Sequence, residues 1–208
     1  MNGWKHCLLS KRKFGGEAID YVEVHKFIDS SKYFCYHVKH RVLLHNLFGV
    51  ELCTEIFGDF LTNSDGKIIP VRDIAVEHCK EDLSNNVPTL WDWFKDNDDV
   101  LSSKIELPKI EDADINTFVN KPFLRSGLKS TMIITCSDFG VYLIEKKFGI
   151  QKAIEFCNSF QSLPPIKSYL EMFRLTKKWQ YTPNKNEINW LNEINKNEPE
   201  TTIASNPK

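Results

Sequence analysis

A mainly α-helical bundle is the fold that this sequence predicts. Apolar side chains recur at helical spacing along most of the 208 residues, and only a short stretch around Pro70 has an extended pattern. Glycine directly follows two of the apolar segments, at Gly58 and Gly149, a position where helices commonly end. Hydrophobic residues form 41% of the chain, so these segments can bury a substantial core.

Two helices are predicted in the first 58 residues. The first covers residues 17–29, where apolar side chains recur along one side. The second is longer: Ser30 or Ser31 can cap its start, it runs to about Phe57, and Gly58 ends it.

A turn and a third helix follow. Residues 62–66, Thr-Asn-Ser-Asp-Gly, form the turn, because Asn and Asp side chains bond to their own backbone and Gly accepts positive φ. Residues 67–71 are predicted to be extended, since the residue before Pro70 avoids helical angles. The third helix covers residues 72–83, and Pro88 starts a short aromatic helix.

The rest of the chain divides into an acidic segment, a helical half and a tail. Eight acidic and three basic residues lie between Asp92 and Asp114, and helical patterns follow near 123–148, 150–161, 165–178 and 185–195. We therefore expect a histidine-rich helical domain at 1–97, an acidic linker or long loop at 98–116, a helical C-terminal half at 117–196 and a disordered tail at 197–208.

The two helical halves share a short internal similarity. Six of the 19 residues that start at His40 are identical 91 positions later, among them the Phe-Gly pairs ending at Gly58 and Gly149. A degenerate duplication explains this pattern, and two helices that end independently in Phe-Gly explain it equally well. If the halves are duplicated, Thr131 and Cys136 replace His40 and His45, and the fold does not need those histidines.

Charge and cysteine usage narrow the classes of function. The 27 basic and 28 acidic side chains are mixed without a long basic run, which disfavours a nucleic-acid partner. No apolar stretch approaches the roughly 20 residues that span a bilayer, and the first residues lack a secretory signal pattern. The six cysteines form no C-x-x-C pair, so we expect reduced thiols, a cytoplasmic location and no finger-type zinc site.

Histidines are concentrated in the first part of the chain. All six lie between positions 6 and 78, and five of them, His37 included, fall in predicted helices. His25 precedes Asp29 by four residues and His78 precedes Asp82 by four, so each pair shares one helix face. Such a pair can ligate a metal, or the carboxylate can orient the imidazole for acid–base chemistry.

The second predicted helix carries further polar groups on one side. Arg41 lies with His40 and His45 on a helix that is otherwise apolar, and an enclosed arginine needs anionic partners. We predict a site with metal ligands and with catalytic or phosphate-binding groups. The metal ligands are His25, His40, His45 and His78; the second group is Asp29, Arg41, Arg72 and Asp82. Imidazole with carboxylate suits Zn, Mn, Fe or Ni. Arg72 suits a phosphate, and equally an exposed first helical turn.

An ordered series of short motifs resembles a known family. The motifs are H-x3-D at His25, HR-x3-H at His40, TNSDGK from Thr62, PVR from Pro70 and H-x3-D at His78. Together they cover about residues 4–95 and resemble a group of uncharacterised proteins found in bacteria and their phages. The resemblance implies a bacterial or phage source and brings no activity with it.

Two functions are compatible with these residues. One is a metal-dependent hydrolase acting on a phosphate ester or nucleotide, only loosely similar to the helical HD phosphohydrolases because their adjacent His-Asp pair is missing here. The other is a non-enzymatic accessory, virion or inhibitor protein that binds another protein, in which the polar cluster is a hydrogen-bond network. The oligomeric state is left open by the sequence.

Overall fold

Helices dominate the computed structural model, which describes residues 3–35 and 38–181. The mainly α prediction is confirmed. The only sheet in these residues is a hairpin of β1 (Phe60–Thr62) and β2 (Ile68–Pro70), paired antiparallel around the predicted turn. The helices, in chain order, are α1 (Gly3–Phe14), α2 (Val22–Asp29), α3 (Arg41–Leu44), α4 (Leu47–Phe57), α5 (Val71–Asp82), α6 (Leu90–Phe94), α7 (Asp98–Leu101), α8 (Ala113–Ser126), α9 (Asp138–Phe148), α10 (Ile150–Asn158), α11 (Ile166–Met172) and α12 (Lys178–Tyr181).

The N-terminal helices pack around α2. This helix contacts α1, α4 and α5, and α4 in turn packs against α5 and α9. Buried apolar side chains from both halves of the chain form one continuous cluster, from Tyr21 on the N-terminal side to Phe173 on the C-terminal side. Within the described residues, no helix combines the length and the apolar character that crossing a membrane requires.

The second predicted helix is divided, and the prediction of one continuous helix to Phe57 is wrong. Short 3₁₀ segments and α3 precede a break at His45 and Asn46, and α4 starts afresh at Leu47. Asn46 causes the break, because its Oδ1 accepts from the Gly49 amide at 3.0 Å while its Nδ2 donates to the Val42 carbonyl at 2.8 Å. The predicted end at Gly58 is confirmed.

Several other boundaries differ from the predictions. Helix α1 was not predicted at all. The pattern near 123–148 is interrupted where α8 ends at Gly127, whose φ of 72° is left-handed. Within residues 98–116, α7 and the start of α8 are helical, and residues 105–112 have no regular structure. His37, the helical pattern near 185–195 and the predicted disordered tail lie outside the described residues.

Two helices of residues 22–58 have counterparts at the corresponding positions of residues 113–149. Helix α8 begins 91 residues after the start of α2, and α9 begins 91 residues after the start of α4. Backbone angles repeat at the residues that precede α4 and α9: Asn46 has φ −159° and ψ 173°, and Ser137 has φ −155° and ψ 178°. Aromatic packing repeats as well: edge-to-face ring pairs join Phe27 to Phe57 at 5.8 Å and Phe118 to Phe148 at 5.6 Å.

A close backbone approach repeats at two glycines, Gly49 and Gly140. A Cβ built on either would lie 1.9 Å from a backbone carbonyl oxygen, that of Leu44 or of Thr135. We expect Gly49→Ala and Gly140→Ala each to lower the free energy of unfolding by about 3 kcal/mol, because a backbone clash cannot be relieved by a rotamer change. Gly66→Ala is the control: its Cβ meets nothing within 4 Å, and only its φ of 76° costs about 1 kcal/mol. Urea unfolding measures all three. Equal losses would contradict the close approach.

Candidate metal centre

Polar side chains from α2, α5 and the break after α3 meet next to α1. His25 and Asp29 come from α2, and His78 and Asp82 from α5, each pair one helical turn apart on a shared face. His45 joins them from the break after α3, where Asn46 turns the chain. Because α2 packs against both α1 and α5, the two His/Asp faces are directed at each other in the interior.

Four of these groups are close enough to bind one ion. The ligand atoms are Nε2 of His45 and His78 and a carboxylate oxygen of Asp29 and Asp82, all within 4.8 Å of one another. The Nε2 of His45 lies 3.3 Å from Asp82 Oδ2 and 3.7 Å from Asp29 Oδ1. The Nε2 of His78 lies 3.4 Å from Asp29 Oδ1. Both imidazoles are fully buried, and among the four ligands Asp29 is the most exposed, with 12% of its side chain accessible.

The separations of 3.3 and 3.4 Å match the edges of a tetrahedral metal site, and the 3.7 Å separation is slightly longer. Tetrahedral bonds of about 2.0–2.2 Å hold neighbouring ligand atoms roughly 3.3–3.6 Å apart. Charge-assisted hydrogen bonds would instead draw nitrogen and oxygen to about 2.7–2.9 Å. The Nε2 atoms of His45 and His78 make no hydrogen bond of acceptable geometry to any group in the described part of the chain. Buried polar atoms of this kind are normally satisfied, and a metal ion would satisfy them.

A second layer of hydrogen bonds orients His78. Its Nδ1 lies 2.9 Å from Nδ1 of His25, and Nε2 of His25 lies 2.9 Å from the Ser10 hydroxyl. If His78 offers its Nε2 lone pair to a metal, its Nδ1 carries the proton and donates to His25. His25 then carries its own proton on Nε2 and donates to Ser10, which fixes both tautomers.

His6 is a member of the cluster that the sequence predictions missed. Its ring stacks on His78 with centroids 3.9 Å apart, its Nε2 lies 3.4 Å from Asp82 Oδ1, and its Nδ1 bonds to Glu81. His6 precedes Ser10 by four residues, so both face inward from α1. That spacing was the available signal, and it was missed because α1 itself was not predicted.

Burial and neighbouring charges set the protonation states. Burial lowers the pKa of His25 to about 2 and that of His78 to about 3, and neighbouring imidazoles add to both effects. Burial likewise lowers the pKa of His45. Burial alone would raise the pKa of Asp82, but the nearby His45 and His6 hold it below its usual range. The ligands His45 and His78 are therefore neutral imidazoles beside ionised carboxylates, the states in which both bind metals, whereas the carboxylates of Asp82 and Glu81 raise the pKa of His6.

The comparison with known proteins places this cluster within one domain. Residues 1–100 match the DUF6915 family, a domain of unknown function. The expected resemblance to an uncharacterised family is thereby confirmed. No curated protein and no solved structure matches the chain. The DUF6915 domain contains every residue of the cluster from His6 to Asp82, and α8 to α12 lie outside it.

The remaining predicted site residues take different positions in the DUF6915 domain. Arg41 is buried beside the cluster, with its Nε 3.7 Å from Asp82 Oδ2. The His40 ring meets the His45 ring edge-on at 5.2 Å, and His40 is not one of the four grouped ligands. His25 lies behind His78 as described above. Arg72 lines a different groove, which it shares with Glu51 and Arg125.

Proposed function

We propose that the DUF6915 domain of this chain binds a divalent transition metal through Asp29, His45, His78 and Asp82, and hydrolyses a phosphate ester or nucleotide. Two imidazoles with two carboxylates suit Zn, Mn, Fe or Ni. Such an ion supplies a bound water of lowered pKa as the nucleophile. Arg41 places a buried cation beside Asp82, which suits an anionic substrate near the centre.

The observation that carries the proposal is the recurrence of the same helices without the polar groups. At the offset of 91 residues, Asn120 stands for Asp29, Met132 for Arg41 and Cys136 for His45. Residues 113–149 nevertheless form helices at the positions of α2 and α4, with the same ring pair and the same close approach at glycine. The backbone therefore does not require the charged cluster, which favours a role in chemistry.

A structural metal in a non-enzymatic protein is the second candidate. It is favoured by the enclosure of the ligands, since Asp82 is 1% exposed and both imidazoles are fully buried. Closed sites with four protein ligands are typical of structural metals, whereas catalytic metals keep one position open. In this case the chain would serve as a bacterial or phage accessory protein that binds another protein.

Metal content tests the centre. We expect protein made in defined medium with Zn, Mn, Fe and Ni to carry about one ion per chain by mass spectrometry, because the four ligands converge on one point. His45→Ala should lose at least 90% of that metal, whereas His40→Ala, the matched control outside the four ligands, should keep it. Wild-type protein free of metal, or His45→Ala fully loaded, would contradict the centre.

Activity separates the two candidates. Metal-loaded protein should hydrolyse members of a panel of p-nitrophenyl phosphate, bis-p-nitrophenyl phosphate and nucleotides, and His45→Ala should not. Loaded protein that hydrolyses none of them, yet unfolds when a chelator removes the ion, would favour the structural metal instead.

A further inference from the structure

A groove rich in lysine lies between the two halves of the chain. It has a volume of about 690 Å³, within the range of small-molecule sites. Lys32, Lys39 and Lys167 line it together with one acidic residue, Glu171. Lys32 pairs with Asp29 and Lys167 lies 3.9 Å from Glu171, so the three lysines exceed the two carboxylates by one positive charge, although the chain as a whole has a net charge of −1.

The groove reaches the candidate metal centre through Lys32. The Nζ of Lys32 lies 2.6 Å from Asp29 Oδ1, the atom that faces His45 and His78. Asp29 is also the most exposed of the four ligands, with 12% of its side chain accessible. A molecule lying along Lys32 is therefore next to the edge of the centre that solvent reaches.

An exposed aromatic ring stands at the same groove. Tyr33 follows Lys32 directly and is 88% exposed, so its ring is available for stacking. Phe34 and Leu170 add apolar surface to the lining. Lysine ammonium groups bind phosphates, and an exposed aromatic ring stacks on a nucleobase at about 1–3 kcal/mol per base.

Both halves of the chain contribute to the groove. Lys39 donates to the Glu171 carbonyl at 3.1 Å, which joins the segment before α3 to α11. Lys167 lies on α11, outside the residues that match DUF6915. The C-terminal half thus completes a surface that the DUF6915 domain alone would leave open on one side.

We propose that this groove binds a nucleoside phosphate, with the phosphate towards Lys32 and the metal centre and the base on Tyr33. The proposal rests on the hydrolase function proposed above and specifies its substrate class. Lys167 and Lys39 bind the phosphate from the far side of the groove.

Binding of a non-hydrolysable phosphonate analogue of adenosine monophosphate and of inorganic phosphate to the full-length, metal-loaded chain, measured by calorimetry, tests the groove. Tyr33→Ala should weaken nucleotide binding about 10-fold and leave phosphate binding within twofold, because only the base stacks. Lys167→Glu should weaken both about 10-fold. The matched controls are Phe60→Ala, a ring 62% exposed, and Lys109→Glu, a side chain 89% exposed, and neither should change binding.

The outcomes separate this proposal from the hydrolase. If the chain binds metal and hydrolyses phosphoesters while Tyr33→Ala and Lys167→Glu bind both ligands like the wild type, the groove is wrong and the hydrolase stands. If the chain carries no metal and yet binds the nucleotide in a way that Tyr33→Ala weakens, the hydrolase is wrong and the groove stands.

We also infer that residues 22–58 and 113–149 are two copies related by an internal two-fold axis. Contacts between them are reciprocal at the offset of 91 residues. Glu51 pairs with Lys121 at 3.1 Å, and Tyr142, the counterpart of Glu51, is near enough to Ser30, the counterpart of Lys121, for Ser30 to influence its pKa. Likewise Arg125 donates to Glu51 at 3.1 Å. The counterparts of these two residues are Phe34 and Tyr142, and their rings lie 5.6 Å apart.

Reciprocal contacts of this kind define an isologous, dimer-like interface. The second copy therefore occupies the place of a dimer partner, and the full chain should be a monomer of 24.2 kDa by light scattering. An experimental structure should superpose the copies by a rotation near 180°. A dimer that Glu51→Lys dissociates, or a superposition far from a half-turn, would overturn the inference.

Discussion

Replacing Asp82 by asparagine is expected to abolish metal binding and to destabilise the fold. The Asp82 carboxylate faces His6, His45 and Arg41, and it is 1% exposed. We expect metal affinity to fall more than about 100-fold, because loss of a direct ligand exceeds the 10- to 100-fold effect of an outer-layer change. The metal-free variant should lose about 3–5 kcal/mol of unfolding free energy, since a buried cation loses its carboxylate.

The chain suggests the compensating change. Met132 lies at the position that corresponds to Arg41, and it is buried there, so methionine is the neutral replacement that the chain itself suggests. Asp82→Asn with Arg41→Met should therefore unfold at higher urea concentration than Asp82→Asn alone, while still binding no metal. Asp99→Asn, at an exposed position, is the matched control and should stay within about 0.5 kcal/mol of the wild type. A double variant less stable than the single one would argue against a charge imbalance in the cluster.

Mild acid is expected to destabilise the metal-free protein. The pKa values of His25 and His78 are about 2 and 3 in the folded chain, below the ordinary 6.5. Below pH 6.5 the unfolded chain therefore binds protons that the folded chain excludes, and stability falls as the pH falls towards 3. For two such groups, the loss between pH 6.5 and 5.5 is about 2 kcal/mol.

Urea unfolding at a series of pH values, with chelator present, measures this slope. His25→Asn should reduce the slope without abolishing it, because His78 and His45 also have lowered pKa values; asparagine is the residue at the corresponding position 116. His6 acts in the opposite direction, because its raised pKa contributes stability below pH 6.5 that is lost at higher pH. Between pH 6.5 and 5.5 this gain is smaller than the loss from His25 and His78, so the net effect of acid is still destabilising. An unchanged slope in His25→Asn would show that His25 is not the group excluding the proton.

Local spacing was sufficient to predict part of the site. Two carboxylates four residues after a histidine had to share helix faces, and the structure directs both faces into one interior. The mainly α fold followed from apolar periodicity in the same way. Such patterns report which side of a helix is polar, and they carry no information about which helices become neighbours.

Long-range geometry accounts for what was missed. The Asn46 side chain breaks the predicted helix, so the orientations assumed for His40 and His45 on one continuous helix do not apply. His25 contacts the far side of the ligand His78 and is not itself a ligand, because α2 packs directly against α5. His6 arrives from α1, whose alignment over the cluster depends on contacts with residues some 70 positions away, such as Glu81.

The repeated helices have a practical consequence for dissecting this protein. At the four cluster positions of residues 22–58, namely His25, Asp29, Arg41 and His45, the residues 91 positions later are the neutral Asn116, Asn120, Met132 and Cys136. Transferring those residues should give a chemically silent chain that retains its shape, a cleaner negative control than alanine scanning offers.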